Sequence, residues 1–157
     1  MEVTKNMTEI NTTVKIKPMK YQRRMHPPEL LYNGIYEGMH YYIVSMGTHP
    51  CAYIEIPLKN QLIKMPELLA IDYLAGNNIT YREAYLNTSE GTIIDSHDRA
   101  MFIGWDHVHS SDYTGFMESK ISSLFDYSAF HKWTTEEMIE ECKQAIDELL
   151  GIWRLEV

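Results

Sequence analysis

Residues 39–56, MHYYIVSMGTHPCAYIEI, carry the clearest strand pattern in the chain. Both ends of this stretch are rich in aromatic and β-branched residues, which favour strands. Residues 47–50, GTHP, interrupt the stretch with turn-forming residues. Two strand-like runs about four residues apart predict an antiparallel hairpin. In the second run Tyr53 and Glu55 alternate with smaller or aliphatic residues, which indicates one buried face and one wet face.

Further strand signals follow this hairpin. Residues 79–81 and 83–86 predict a third strand that contains a bulge, and the turn residues Gly76-Asn77-Asn78 precede it. Residues 101–105, MFIGW, predict a strongly apolar fourth strand. Between the hairpin and the third strand, residues 66–71 predict a short helix with proline in its first turn.

The last part of the chain predicts a long amphipathic helix. Thr134-Thr135-Glu136-Glu137 is a capping box, in which the first threonine caps the helix and the last glutamate reaches back to it. Apolar residues then recur at helical spacing, and Gly151 marks the expected end. These residues are Met138, Cys142, Ile146 and Leu149. The fold class is therefore α+β, an antiparallel sheet of about four or more strands packed against a long C-terminal helix.

Composition excludes several classes of protein. The chain has 157 residues, of which 45% are hydrophobic, and this is enough for one domain with its own core. No run approaches the roughly 20 apolar residues of a membrane span, and nothing at the amino terminus is typical of a signal peptide. Two cysteines, Cys51 and Cys142, are too few for a disulfide framework. We therefore expect a cytoplasmic protein with reduced thiols and no contact with membranes.

Charge is distributed unevenly along the chain. Residues 1–24 hold six basic and two acidic residues, a net charge of +4, whereas residues 25–157 hold eight basic and 20 acidic residues, a net charge of −12. We expect residues 1–24 to form a basic, flexible N-terminal segment and residues 25–157 to form a single α+β domain, entered at Pro27-Pro28. The total of −8 argues against direct binding of nucleic acid by the acidic body. The asymmetry fits a head-to-tail homo-oligomer as well as a monomer with a loose arm.

Polar residues that could carry chemistry are concentrated in residues 105–113, WDHVHSSDY, at the exit of the fourth strand. Three interpretations remain open: a divalent metal site, acid–base chemistry, or a purely structural set of turn caps. The metal candidates are Asp106, His107, His109 and Asp112, with Asp95, His97 and Asp98 upstream. No cofactor is expected apart from that divalent metal.

The chain also contains 11 tyrosines, 10 methionines and three tryptophans. Such residues suit a binding surface or a base-stacking pocket, and they suit a core equally well. A Cys–His nucleophilic pair at His49 and Cys51 is disfavoured because no third orienting group is evident. A glycine-rich phosphate loop is absent from the sequence.

Three segments resemble a family of small bacteriophage and prophage proteins. Residues 48–57, THPCAYIEIP, are similar to the family segment G-H-x-C-G-Y-V-x-V-P. Residues 75–81 and 103–112 are similar, in the same order, to the family segments V-H-G-G-L-T-Y and W-x-I-G-F-D-C-A-H-A-G-D. The chain departs from this pattern at Gly76, where the family has histidine, at Asn77-Asn78, where it has two glycines, and at His107, where it has cysteine.

The resemblance implies an origin more than a chemistry, because the family has no assigned activity. It implies a non-enzymatic phage accessory protein in a bacterial host cell that antagonises host defence by binding. The partner would be a basic host protein that is blocked, or a nucleotide-like ligand that is sequestered. The expected ligand-binding residues are His49, Tyr53, Tyr81, Trp105, Asp106, His109 and Asp112, with Trp105 stacking on the ligand. The alternatives are a small metal-dependent hydrolase acting on a nucleotide or phosphodiester, and a structural or assembly protein.

Overall fold

An antiparallel sheet and one long helix make up the fold in a computed structural model, which describes residues 15–57, 70–94, 100–118 and 127–156. The strands in chain order are β1 (Glu29–Tyr36), β2 (Met39–Ser45), β3 (Pro50–Pro57), β4 (Tyr73–Leu74), β5 (Asn77–Asn78), β6 (Tyr81–Glu83), β7 (Tyr85–Thr88), β8 (Gly91–Ile94) and β9 (Ala100–Asp106), and helix α1 is Thr135–Glu156. Within the described residues the main sheet has five strands in the order β1-β2-β3-β9-β6, and two small hairpins are formed by β4-β5 and β7-β8. The predicted α+β class is confirmed.

The hairpin predicted from residues 39–56 is present as β2 and β3. The two strands pair antiparallel, with Val44 opposite Cys51 and Ser45 opposite Pro50 at the turn end. The apolar run predicted at residues 101–105 is β9, and it pairs with β3 along its whole length. These two pairings place the β2–β3 turn and the exit of β9 at the same end of the sheet.

Helix α1 begins at the predicted capping box. The backbone N–H of Glu137 donates to Thr134 Oγ1 at 3.2 Å, and the backbone N–H of Thr134 donates to Glu137 Oε1 at 2.9 Å. The predicted end at Gly151 is wrong, because the helix continues to Glu156. A glycine inside a helix costs only about 1 kcal/mol relative to alanine, which is too little to end it. No helix in the described part of the chain is long and apolar enough to cross a membrane.

The main core lies between the sheet and α1. The helix contributes its predicted apolar stripe, and all four members are fully buried: Met138, Cys142, Ile146 and Leu149. The sheet contributes Ile54 and Ile56 of β3 and Ile103 and Trp105 of β9. The opposite face of the sheet carries a smaller cluster around Tyr42, Leu86 and Phe102. A pocket lies on this second face, at the end of the sheet that carries the β2–β3 turn.

The third predicted strand differs from the structure. Residues 81–83 and 85–88 belong to separate strands, since β6 pairs with β9 in the main sheet and β7 pairs with β8 in a hairpin of its own. The turn predicted at residues 76–78 lies one residue earlier: Ala75 and Gly76 form it, with positive φ values of 51° and 78°, and Asn77–Asn78 is strand β5. The short helix predicted over residues 66–71 lies mostly outside the described residues. The metal candidates Asp95, His97 and Asp98 also lie outside them.

Residues 15–24, part of the predicted basic N-terminal segment, contact the domain. The backbone N–H of Lys17 donates to the carbonyl of Leu31 at 3.0 Å, and that of Gln22 donates to the carbonyl of Gly47 at 2.8 Å. Tyr21 donates its hydroxyl hydrogen to the carbonyl of Trp133 at 2.8 Å. These contacts hold the second half of the segment beside the β2–β3 turn. Residues 1–14 lie outside the described part of the chain.

Candidate functional site

A pocket of about 260 Å³ lies on the sheet face opposite α1, at the ends of β3, β9 and β6. We call it the sheet pocket. Its lining residues are Met46, His49, Cys51, Tyr53, Thr80, Tyr81, Trp105 and Asp106. Directly paired residues of antiparallel strands point to the same face of a sheet. Cys51 and Asp106 are such a pair, so both lie on the pocket side.

Two tyrosines form the aromatic wall of the sheet pocket. Tyr53 on β3 and Tyr81 on β6 are both paired with Gly104 on the strand between them. Their rings meet edge to face, with centroids 5.1 Å apart and an interplanar angle of 80°. A Cβ at Gly104 would collide with the Tyr53 ring and would lie 2.5 Å from the carbonyl oxygen of Ala52. Glycine at this position therefore allows the tyrosine ring to lie flat against the strand.

The walls of the sheet pocket are uncharged at neutral pH apart from one carboxylate. Burial, together with the nearby charge of Asp106, raises the pKa of the Cys51 thiol to about 12. Burial raises the pKa of Tyr81 to about 12 and that of Tyr53 well above its usual 10. Burial lowers the pKa of His49 below 6.5, against the opposing effects of Asp106 and Asp112. The lining residues include no lysine or arginine, so Asp106 is their charged group.

Cys51 is therefore a poor nucleophile. A thiol reacts as its thiolate, and a pKa near 12 leaves almost none of that form at neutral pH. The neighbouring His49 is held by a hydrogen bond of 2.8 Å between its Nδ1 and Thr48 Oγ1. The structure thus supplies an orienting group for His49 that the sequence did not show, and it is the high pKa of the Cys51 thiol that argues against a Cys–His nucleophilic pair.

Five of the seven predicted ligand-binding residues line the sheet pocket, namely His49, Tyr53, Tyr81, Trp105 and Asp106. The predicted stacking role of Trp105 does not fit this placement. Trp105 is only 1% exposed, and its Nε1 donates to Glu141 Oε1 of α1 at 2.9 Å. The indole belongs to the core on the helix side, so the tyrosines supply the aromatic surface of the pocket. Sequence reasoning missed Gly104, although a glycine inside an apolar strand signals close approach of a neighbour.

The other two predicted residues, His109 and Asp112, lie in a second group of polar side chains together with His107. We call these three residues the imidazole–carboxylate cluster; one ligand atom from each lies within 4.8 Å of the others. Asp112 Oδ2 is 3.3 Å from Nδ1 of His109 and 3.9 Å from Nδ1 of His107. Asp106, the fourth predicted metal ligand, lies on the pocket side and is not part of the cluster.

His107 is buried against the helix, where one carboxylate and one aromatic ring hold its imidazole. Its Nε2 is 2.7 Å from Oε1 of Glu141, and its ring stacks on Trp133 with centroids 3.7 Å apart. The same carboxylate accepts hydrogen bonds from Trp105 Nε1 and, at its second oxygen, from Asn77 Nδ2 at 2.9 Å. The sequence did not identify Glu141 as part of this group, because the glutamate is 34 residues away from His107 along the chain.

Asp112 is also fixed by donors from separate parts of the chain. Its Oδ1 accepts from Trp133 Nε1 at 3.0 Å, and its Oδ2 accepts from the backbone N–H of His109 at 2.9 Å. The side chain of Asp112 is 7% exposed, whereas that of His109 is 53% exposed. The cluster is thus rigid at its base and open to solvent at His109.

No family model, curated protein or solved structure matches this chain. The resemblance to bacteriophage and prophage proteins therefore stays a prediction from the three sequence segments.

Proposed function

We propose that this protein is a non-enzymatic phage or prophage accessory protein that antagonises host defence by binding a nucleotide-like ligand in the sheet pocket. The observation that carries the proposal is the pairing of Tyr53 and Tyr81 beside the carboxylate of Asp106. Proteins that hold a single nucleobase commonly combine stacking on aromatic rings with hydrogen bonds to the polar edge of the base. The pocket offers both kinds of contact.

The chemistry of the pocket favours the base of such a ligand over its phosphate. Asp106 accepts hydrogen bonds and would attract the amino and imino N–H donors of a base. It would repel a phosphate, and no lining residue is a cation that could offset this repulsion. At about 260 Å³ the pocket is slightly smaller than the roughly 300–1,000 Å³ of sites for drug-sized molecules. We therefore expect the base to enter and the phosphate to extend into solvent.

Binding assays with purified protein test this proposal. Calorimetric titration with a panel of nucleosides, nucleotides and cyclic nucleotides should identify at least one that binds with a stoichiometry of one. Asp106→Asn should weaken that ligand about 10- to 150-fold, since hydrogen bonds to charged groups contribute about 1.5–3 kcal/mol. Tyr81→Ala should weaken it by a similar factor, because base–aromatic stacking contributes about 1–3 kcal/mol.

Asp147→Asn is the matched control, since Asp147 is an exposed carboxylate on α1 that accepts from Tyr36. Its affinity should equal that of the unaltered protein. Equal affinity in Asp106→Asn would contradict the proposed site, and failure of the whole panel to bind would refute the ligand. In that case the formal charge of −8 makes a basic host protein the partner to seek, by pulldown.

A further inference from the structure

We propose that the imidazole–carboxylate cluster is a zinc site, in which Nδ1 of His107, Nδ1 of His109 and Oδ2 of Asp112 bind one ion. Zinc binds imidazole nitrogen and carboxylate oxygen at about 2.0–2.2 Å, and tetrahedral geometry then separates neighbouring ligand atoms by about 3.4 Å. The distances of 3.3 and 3.9 Å from Asp112 Oδ2 to the two nitrogens are close to this value. This site goes beyond the proposed ligand binding and does not depend on it.

The orientation of His107 is the strongest argument for a metal. Nε2 of His107 is hydrogen-bonded to Glu141, whose carboxylate also accepts from Trp105 and Asn77. A carboxylate can only accept, so the hydrogen of this bond is on Nε2. In the neutral imidazole the lone pair is then on Nδ1, which faces Asp112 at 3.9 Å. That distance is too long for a hydrogen bond. Nδ1 of His107 is thus a buried nitrogen, aimed into the cluster, that no described hydrogen bond satisfies.

Glu141 occupies the place that a carboxylate takes behind a zinc-binding histidine. Such carboxylates accept the second N–H of the imidazole, fix its tautomer and increase its basicity. The stacked ring of Trp133 fixes the plane of His107, and Nε1 of the same indole holds Oδ1 of Asp112. Two of the three ligands are therefore oriented in advance of any ion.

His109 supplies the third ligand and the opening. Its side chain is 53% exposed, so an ion bound here would face solvent on one side. Three protein ligands and one open position are typical of zinc sites that hold an exchangeable water or an anionic oxygen. The competing explanation is a purely structural cluster, in which Asp112 and Glu141 pair with the imidazoles and no metal binds.

Zinc titration of chelator-treated, full-length protein distinguishes these explanations. Calorimetry with ZnCl₂ should give one ion per chain, and CoCl₂ as a spectroscopic probe should give the visible absorption of tetrahedral cobalt. His109→Ala should weaken zinc at least tenfold, whereas His131→Ala is the matched control and should bind as the unaltered protein does. His131 is 50% exposed and also contacts Trp133, but it pairs with Glu137 outside the cluster.

Glu141→Gln tests the positioning role of the glutamate. Loss of such an outer carboxylate typically costs 10- to 100-fold in metal affinity, and we expect about that loss here while circular dichroism remains unchanged. Absence of zinc binding at micromolar concentration would overturn the proposal, as would equal affinity in His109→Ala and the unaltered protein. Asp106→Asn should leave zinc affinity unchanged, so that failure of the metal site and failure of the sheet pocket give different results.

Discussion

Replacing Gly104 by alanine tests the central packing of the sheet pocket. The added Cβ would collide with the ring of Tyr53 and would lie 2.5 Å from the carbonyl oxygen of Ala52. The tyrosine ring can rotate away, but the carbonyl belongs to the backbone of the neighbouring strand and cannot. We therefore expect β3 and β9 to shift apart locally and the Tyr53–Tyr81 wall to be lost.

The expected cost follows from this overlap. Forcing one extra methyl group into a packed site costs about 1–3 kcal/mol. For a chain of this size that corresponds to a decrease in Tm of about 2–12 °C. Urea unfolding followed by circular dichroism measures the free energy, and the near-ultraviolet spectrum reports the displaced tyrosines.

Gly151→Ala is the control for this experiment. A Cβ at that position meets nothing within 4 Å, and the residue lies inside α1. Alanine there should stabilise the protein by up to about 1 kcal/mol. If Gly104→Ala unfolds with the same free energy as the unaltered protein, the close packing of Tyr53 over Gly104 is refuted, and the wall of the pocket with it.

Two further predictions concern titratable groups of the same pocket. Cys51 should resist alkylation by iodoacetamide at pH 8 until urea unfolds the protein, because burial raises the pKa of its thiol to about 12; rapid labelling of the native protein would contradict this. His49 has a folded-state pKa below its unfolded value of 6.5, so the unfolded chain binds more protons between the two values and stability should rise with pH through that window. His49→Gln should reduce this rise in urea unfolding measured from pH 5 to 7.5, and an unchanged slope would show that other groups cause it.

Local patterns in the sequence predicted the hairpin and the start of the helix. The capping box needs only Thr134 and Glu137, three residues apart, and both predicted hydrogen bonds are present. The β2–β3 hairpin likewise depends on neighbouring residues and a short turn. The helix end was missed because the cost of Gly151 is small compared with the favourable burial of the apolar stripe before it.

Strand β1 could not be predicted from alternation. Its pairing with β2 is irregular between Leu30 and Tyr32, which breaks the period of two. Asn33-Gly34 in its centre resembles a turn. Gly34 is instead paired with Tyr41, whose ring fills the space that a Cβ at position 34 would need. The partner that stabilises this glycine is on another strand, so the local sequence does not reveal it.

The two sites show a similar division between local and distant information. The sequence predicted that residues around 49–53 and 105–112 carry the polar groups at the strand ends. It did not separate Asp106 from His107, which the structure places on opposite sides of the sheet end. Glu141 is 34 residues away from His107 along the chain, and only the packing of α1 on the sheet brings them together.

Native mass spectrometry of protein purified gently from a bacterial host would show whether the sheet pocket carries a ligand. We expect an adduct of one nucleotide-sized molecule per chain, which Asp106→Asn reduces and Asp147→Asn leaves unchanged. An unliganded mass for the unaltered protein, unchanged after mixing with nucleosides and nucleotides, would contradict the claim that the sheet pocket binds a nucleotide-like ligand.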